Sequence, residues 1–554
     1  MWQGFTARPR VRSGKAREPN AYCRIYVDET GCLGGPPSFN DRDKIVRRRD
    51  LLLGGAAWSV LYGATSQESL VRAAGPDVKS TPFTPQTVRQ FARELSQKAH
   101  RPSDLALPAE LKDLSYDQYR TIRFLPDRAL WRNDRLPFQV EFFHRGFFFD
   151  RRVDIFEVDQ GQARRTTYSP SMFSFGDLKS PDANTDLGFA GFRLHYPINR
   201  PDYFDEFAVF LGATYFRAVA KGQGYGLSAR GLAINTGDPK GEEFPAFTSF
   251  WIERPQPNAT SIVVHALLES PSTTGAYRFT IRPGQETTFD VEPVLFPRTD
   301  IAQAGIAPLT SMFLFDANDR KNVDDYRSAV HDSDGLAIHN GRDERLWRQL
   351  NNPSDLQISS FGDTNPRGFG LMQRQKSFGA YEDLESHFER RPSLWVEPIG
   401  DWGEGEVRLV EIPTKEEIHD NIVGLWLPRG ALAAKGEHSF TYRLHWKSDD
   451  AHDFPLARFA TTRVGAGPGG GRLFVLDLIG DKLKEAVPQE SVRGQVSASK
   501  GKIDHVISQP NSETGGWRLS FQLASEKESL VELRAQLMRN DVALSEVWLY
   551  RWTP

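Results

Sequence analysis

The apolar residues of this chain alternate more often than they spiral. Tyr277, Phe279 and Ile281 interleave with Arg278, Thr280 and Arg282, and Pro283-Gly284 then turns the chain. Phe440, Tyr442, Leu444 and Trp446 interleave with Thr441, Arg443 and His445, and Phe138, Val140 and Phe142 repeat the pattern. A period of two marks a strand with one face on a core and the other in water, so these segments predict antiparallel strands. Helical spacing is confined to the start of the body. Thr84 supplies an N-cap and Pro85 the first helical position, with Val88, Phe91, Ala92 and Leu95 on one face. A second helix is predicted over residues 109–120.

So many strands between turn signals predict a mainly β protein built as a large N-terminal β-sandwich over residues 80–446. The polar, aperiodic run Lys447-Ser448-Asp449-Asp450-Ala451-His452-Asp453 predicts a linker over 447–457. Beyond it, alternation resumes at 473–478, 517–523, 530–537 and 547–552. Residues 458–554 have the size of one immunoglobulin-like sandwich. Gly465-Ala466-Gly467-Pro468-Gly469-Gly470-Gly471 lacks the strand-to-helix setting of a phosphate loop and is expected to be a mobile loop.

Composition narrows the class. The 554 residues carry 69 Lys+Arg against 72 Asp+Glu, a net charge of −3, which excludes the strongly basic profile of a nucleic-acid binder. With 37 Phe and 12 Trp, the chain has ample surface to bury and is not disordered. No apolar run approaches the roughly 18 residues of a membrane-spanning helix. The charge is unevenly placed: the first 50 residues carry eleven Lys+Arg and six Asp+Glu. Arg47-Arg48-Arg49 then precedes Leu51-Leu52-Leu53, a small-residue stretch and Val71-Arg72-Ala73-Ala74. This order reads as a twin-arginine export signal over 47–73, with 1–46 an upstream extension before the natural start, and predicts a periplasmic mature protein. The alternative is a basic loop before a buried helix. Cys23 and Cys32 both fall before the signal, so cysteine chemistry is absent from the mature chain.

The familiar hydrolase, zinc, phosphate-loop and redox motifs are missing, and no metal or cofactor signature is present. Carboxylates, histidines and aromatic rings remain, a set suited to carbohydrate. Three segments concentrate them. His331-Asp332-Ser333-Asp334-Gly335 packs polar groups densely and reads as an Asx-turn or a calcium loop. Arg390-Arg391-Pro392-Ser393-Leu394-Trp395-Val396-Glu397-Pro398, leading to Asp401-Trp402, reads as a sugar groove or a solvated strand edge. Glu416-Glu417-Ile418-His419-Asp420-Asn421 has the composition of a solvated acidic turn.

Longer segments carry a resemblance: Asp186-Leu187-Gly188-Phe189-Ala190-Gly191-Phe192-Arg193, Phe210-Leu211-Gly212-Ala213-Thr214-Tyr215-Phe216-Arg217-Ala218, and Tyr225-Gly226-Leu227-Ser228-Ala229-Arg230-Gly231. With Thr274-Gly275-Ala276-Tyr277, Ala307-Pro308-Leu309-Thr310-Ser311-Met312-Phe313 and the 391–398 stretch, the chain from about residue 80 onward resembles the osmoregulated periplasmic glucan biosynthesis proteins G and D. The arginine-rich leader is similar to that of the D branch.

The resemblance implies a mutarotase-like N-terminal sandwich and an immunoglobulin-like C-terminal one. It also implies inverting, endo-acting hydrolysis of β-1,2-glucan. Asp420, of Asp420-Asn421-Ile422, matches the family's general acid, and Asp332, of His331-Asp332-Ser333-Asp334, its general base. Arg391, Trp395, Glu397 and Trp402 are the groove candidates. Glu417 is expected near Asp420, supplying a like charge that raises its proton affinity. The implied partners are β-1,2-linked glucan, a membrane glucan synthase and a second copy of the chain. The competing function is a non-catalytic glucan-binding scaffold that guides nascent glucan or its branching.

Overall fold

The computed structural model describes residues 80–101, 107–448, 455–483, 491–524 and 529–554. The expected upstream extension and export signal, with both cysteines, lie outside the described residues.

The first helix, Pro85–Ser96, starts where its sequence predicts, with Thr84 as N-cap in a capping box with Thr87. Val88 and Ala92 are buried, while Phe91 stays largely exposed. The expected single helix over 109–120 is instead two short ones, Ala109–Lys112 and Tyr116–Thr121. Ser115 separates them: its Oγ accepts from the Gln118 N–H at 3.2 Å while Gln118 Oε1 accepts from the Ser115 N–H at 2.8 Å. This reciprocal cap begins a helix where continuity was expected.

The body is two layered sheets. One has ten strands, in the order Gln357–Thr364, Glu404–Glu411, Ile422–Pro428, Ala304–Ser311, Ser228–Arg230, Tyr215–Ala218, Asp205–Leu211, Gly191–Tyr196 and Gln139–Phe143, with Leu232–Ile234 also pairing Ala304–Ser311. The opposing sheet runs antiparallel through Ala246–Glu253, Ile262–Glu269, Thr273–Arg282, Thr287–Pro297, Thr441–Lys447, Ser393–Ile399, Gly368–Met372, Gly335–His339 and Arg345–Gln349. Aromatic rings fill the space between the layers. Phe216 stacks on Phe289 at 5.7 Å, Phe210 meets Phe279 edge-on at 5.3 Å, and Trp446 closes on Phe289 at 4.7 Å.

The period-two segments thus form strands as predicted, but one expected wet face is dry. Beside Phe138, Val140 and Phe142, Gln139 and Glu141 are also buried. Glu141 pairs with Arg193 of the neighbouring strand at 2.8 Å, so a charged pair occupies the face where water was expected.

Toward the C-terminus, a four-stranded sheet of Arg458–Ala466, Arg472–Ile479, Gly516–Ala524 and Lys502–Asn511 forms. The glycine-rich stretch is the turn between its first two strands, closed by Gly467 N–H donating to Gly471 C=O at 2.7 Å. Three further strands, Val547–Trp552, Val531–Arg539 and Val492–Ala498, extend the large sheet, because Leu346 pairs in parallel with Val547. A second core forms between them and the four-stranded sheet, around Phe474, Phe521 and Trp548. Of the expected linker, Lys447 still belongs to its strand and 449–454 lie outside the described residues.

Candidate active site

The two acidic motifs meet through Phe313. The short strand Phe313–Phe315 pairs with Val330–His331, setting Phe313 opposite His331 and stacking their rings at 5.5 Å. On the backbone of the same Phe313, Asn421 Oδ1 accepts from the N–H at 2.8 Å and Nδ2 donates to the C=O at 3.0 Å. Nδ2 also donates to Ile412 C=O at 3.0 Å. A buried Asn saturated in this way is a rigid anchor. It fixes the residue before it, Asp420, at the mouth of the strand Ile422–Pro428. On the other side, the Asp332 N–H donates to Met312 C=O at 2.8 Å, so Asp332 follows His331 out of the paired strand.

His331 is fully buried, its Nδ1 2.8 Å from Gln373 Oε1 and its Nε2 3.9 Å from Asp316 Oδ2. Ser333 Oγ lies 2.8 Å from Ser311 Oγ. The two aspartates of the His-Asp-Ser-Asp run diverge. Asp332 forms an ion pair with Arg391, whereas Asp334 turns inward and accepts from the Arg374 backbone N–H at 3.1–3.2 Å. Such divergence does not suit the converging oxygens of a calcium loop.

Arg217 holds the other carboxylate, its guanidinium 3.3 Å from Asp420 Oδ2. Phe216 and Ala218 of that strand join the sandwich core, so strand alternation sends Arg217 to the outer face of the ten-stranded sheet. Burial away from water pushes the Asp420 carboxyl up to about 6; Arg217 opposes this, the Asp332 charge adds to it, and Arg391 opposes it. The two motifs are therefore electrostatically joined. A buried acid that holds its proton and an ion-paired carboxylate beside it can divide acid and base roles.

The remaining candidates separate. Arg391 belongs to the site: its guanidinium lies 4.2 Å over the Phe388 ring and donates to Ser386 C=O at 3.3 Å. Glu417 is turned to Arg327 at 2.7 Å, and the like charge that bears on Asp420 comes from Asp332, not from Glu417 as expected. Trp395 and Glu397 occupy the strand face opposite Leu394 and Val396, which sit in the main core. Trp395 packs on the second core and Glu397 bonds His445 at 2.9 Å. Trp402 is only 5% exposed among Trp426, Phe440 and Tyr442, with its indole N–H donating to Thr441 C=O at 3.2 Å. The contacts of these three side chains are therefore with the two cores, with Thr441 and with His445, rather than with either carboxylate. Arg217 and Arg327 were missed, since neither lies within an acidic motif. Arg217 did fall inside a segment carrying the resemblance.

Comparison with known proteins places this sequence among proteins of glucan biosynthesis. The model of the family described as "Periplasmic glucan biosynthesis protein, MdoG" matches residues 83–552. A glucans biosynthesis protein G of Bradyrhizobium diazoefficiens is 58% identical over 510 residues, covering 92% of this chain and 100% of the relative. One from Rhodopseudomonas palustris is 59% identical over 508 residues, with the same shares of 92% and 100%. A third, from Vibrio cholerae, is 50% identical over 480 residues, covering 86% of this chain and 88% of its own. The chain belongs to the periplasmic glucan biosynthesis protein family.

Proposed function

We propose that this protein is a periplasmic inverting endo-β-1,2-glucanase that trims the backbone of osmoregulated glucans as they are made. Asp420 is the general acid, donating its proton to the leaving glycosidic oxygen. Asp332 is the general base, taking a proton from the attacking water directly or through ordered solvent. Inversion requires the two groups on opposite faces of the sugar with space for water between them. The observation that carries the reading is the paired geometry, Asp420 held by Arg217 at 3.3 Å and Asp332 by Arg391, with desolvation pushing the largely enclosed Asp420 carboxyl up to about 6. Proton transfer from a positioned acid contributes roughly 10²–10⁴-fold in rate.

The test is incubation of the purified mature protein with linear β-1,2-glucan. Shorter oligosaccharides of inverted anomeric configuration are expected. Asp420→Asn should abolish their formation while still binding glucan. Binding without cleavage by the wild type would favour a scaffold that guides nascent glucan.

A further inference from the structure

Three chain segments carry the candidate catalytic groups: 320–332 leads to Asp332, 378–391 ends at Arg391, and 412–421 contains Asp420. One side chain touches all three. Arg327 grips Asp325 with two bonds, Nε to Oδ1 at 3.1 Å and Nη2 to Oδ2 at 2.8 Å. Its Nη1 donates to Asp383 Oδ2 at 2.8 Å, and Nη2 lies 2.7 Å from Glu417 Oε2. The guanidinium is 13% exposed and Asp383 is buried.

The connection continues to the site. Asp383 Oδ1 accepts from the N–H groups of Glu385 and Ser386 at 2.9 and 2.8 Å, closing a turn. The C=O of Ser386 in that turn then accepts from the Arg391 guanidinium at 3.3 Å, and Arg391 pairs with Asp332. On the other branch, Glu417 stands three residues before Asp420. Arg320 ties the near side, donating to the carbonyls of Asp325, Arg327 and Ser328 at 2.8, 2.6 and 3.0 Å.

We infer that Arg327 is a positioning residue for glucan cleavage, a single planar cation that sets the register of the Asp332, Arg391 and Asp420 segments against one another. The inference rests on the proposed hydrolase reading for its catalytic consequence and on geometry alone for the coupling. Only a guanidinium offers enough donors in a fixed plane to satisfy three carboxylates. A displacement of about 1 Å between reacting groups is enough to cost roughly 10²-fold in rate.

The test compares Arg327→Gln and Asp383→Asn with the wild type. Arg327→Gln should unfold cooperatively yet lose roughly 10²-fold in kcat on linear β-1,2-glucan, with KM within about threefold. Amide exchange should quicken in both 378–391 and 412–421. Asp383→Asn should quicken exchange in 412–421, which it reaches through Arg327. Retained kcat, a change confined to KM, or exchange that changes only in the mutated segment would overturn the inference. If the wild type cleaves no glucan, the hydrolase reading fails on its own, and the exchange coupling still decides the role of Arg327. Should Arg327→Gln not fold, Asp383→Asn supplies both readouts.

Discussion

The charge of Asp332 raises the proton affinity of Asp420, eighty-eight positions further along the chain, and each carboxylate has its own arginine. The arginines are not equivalent in what surrounds them. Arg391 is shared between Asp332, the Ser386 carbonyl and the Phe388 ring. Arg217 stands on a strand of the ten-stranded sheet, 3.3 Å from Asp420. Asp420 thus has partial compensation for burial, enough to keep an ionised form accessible but not to favour it strongly.

The first prediction concerns rate against pH. On the proposed reading the acid must carry its proton, so kcat/KM on linear β-1,2-glucan, which follows the free protein, should decline above a midpoint of about 6, tenfold for each further pH unit. Removing the Arg391 charge, which opposes protonation of Asp420, should move that alkaline limb upward in whatever activity Arg391→Gln retains. A rate that stays level to pH 9 would remove Asp420 from the acid role.

Stability should follow the same carboxyl with a definite sign. Its folded-state affinity is raised from 3.8 to about 6, so below 3.8 both folded and unfolded chains hold the proton, and between the two values only the folded chain does. Stability from this group is complete below 3.8 and is lost as pH rises through about 6. Asp420→Asn cannot ionise. It should match the wild type near pH 4 and exceed it at pH 7.5 by up to about 3 kcal/mol. Urea titrations of both proteins at the two pH values measure the difference, and equal stability at pH 7.5 would contradict the buried-acid picture.

Gly335 closes the His-Asp-Ser-Asp run because the Trp347 ring lies against it. A Cβ there would come within 2.1 Å of the ring. Trp347 is itself fully buried in the second core, so it cannot swing aside. Gly335→Ala should cost about 1–3 kcal/mol or more by overpacking. It should also disturb the loop that presents Asp332. Thermal unfolding checks this; a change within about 0.5 kcal/mol would mean the core yields where close packing says it should not.

Much of this arrangement was legible in the sequence, and the gaps have physical causes. Period-two segments such as 277–281 and 440–446 announced their strands because one face of each meets the aromatic core. The motifs of Asp332 and Asp420 stood out because each is a short polar run, and Asn421 shows why the second takes its form: it clamps the Phe313 backbone. Trp395 and Trp402 were not placed correctly, since a Trp beside charged residues has the same composition in a core as in a groove. The structure puts both in packing roles. Glu141 falls on a face expected to be wet, and only strand pairing shows that Arg193 neutralises it there. Arg217 has its partner Asp420 203 positions away, and Asp325 beside Arg327 gives no sign of the contacts to Asp383 and Glu417, 56 and 90 positions away, distances across which sequence spacing says nothing.

The last prediction tests how the C-terminal strands hold the site. Arg374 and Glu546 meet at 2.6 Å with side chains only 4% and 1% exposed. Arg374 also donates to Phe459 C=O at 2.9 Å, and its guanidinium lies 3.5 Å over the Trp347 ring. Its backbone N–H donates to the carboxylate of Asp334, two residues beyond Asp332. Removing one partner leaves a buried charge without compensation, so Glu546→Ala should destabilise by about 3–5 kcal/mol. An apolar replacement of both, Arg374→Met with Glu546→Leu, should recover much of that loss, because the desolvation of two charges is then no longer required. The backbone bond to Asp334 survives in the double variant, so its glucan cleavage should return with its stability. Denaturant unfolding and the glucanase assay on the same three proteins measure both. If Glu546→Ala unfolds at the wild-type midpoint, the pair is not what fastens Val547–Trp552 to the sheet, and the parallel pairing of Leu346 with Val547 must suffice.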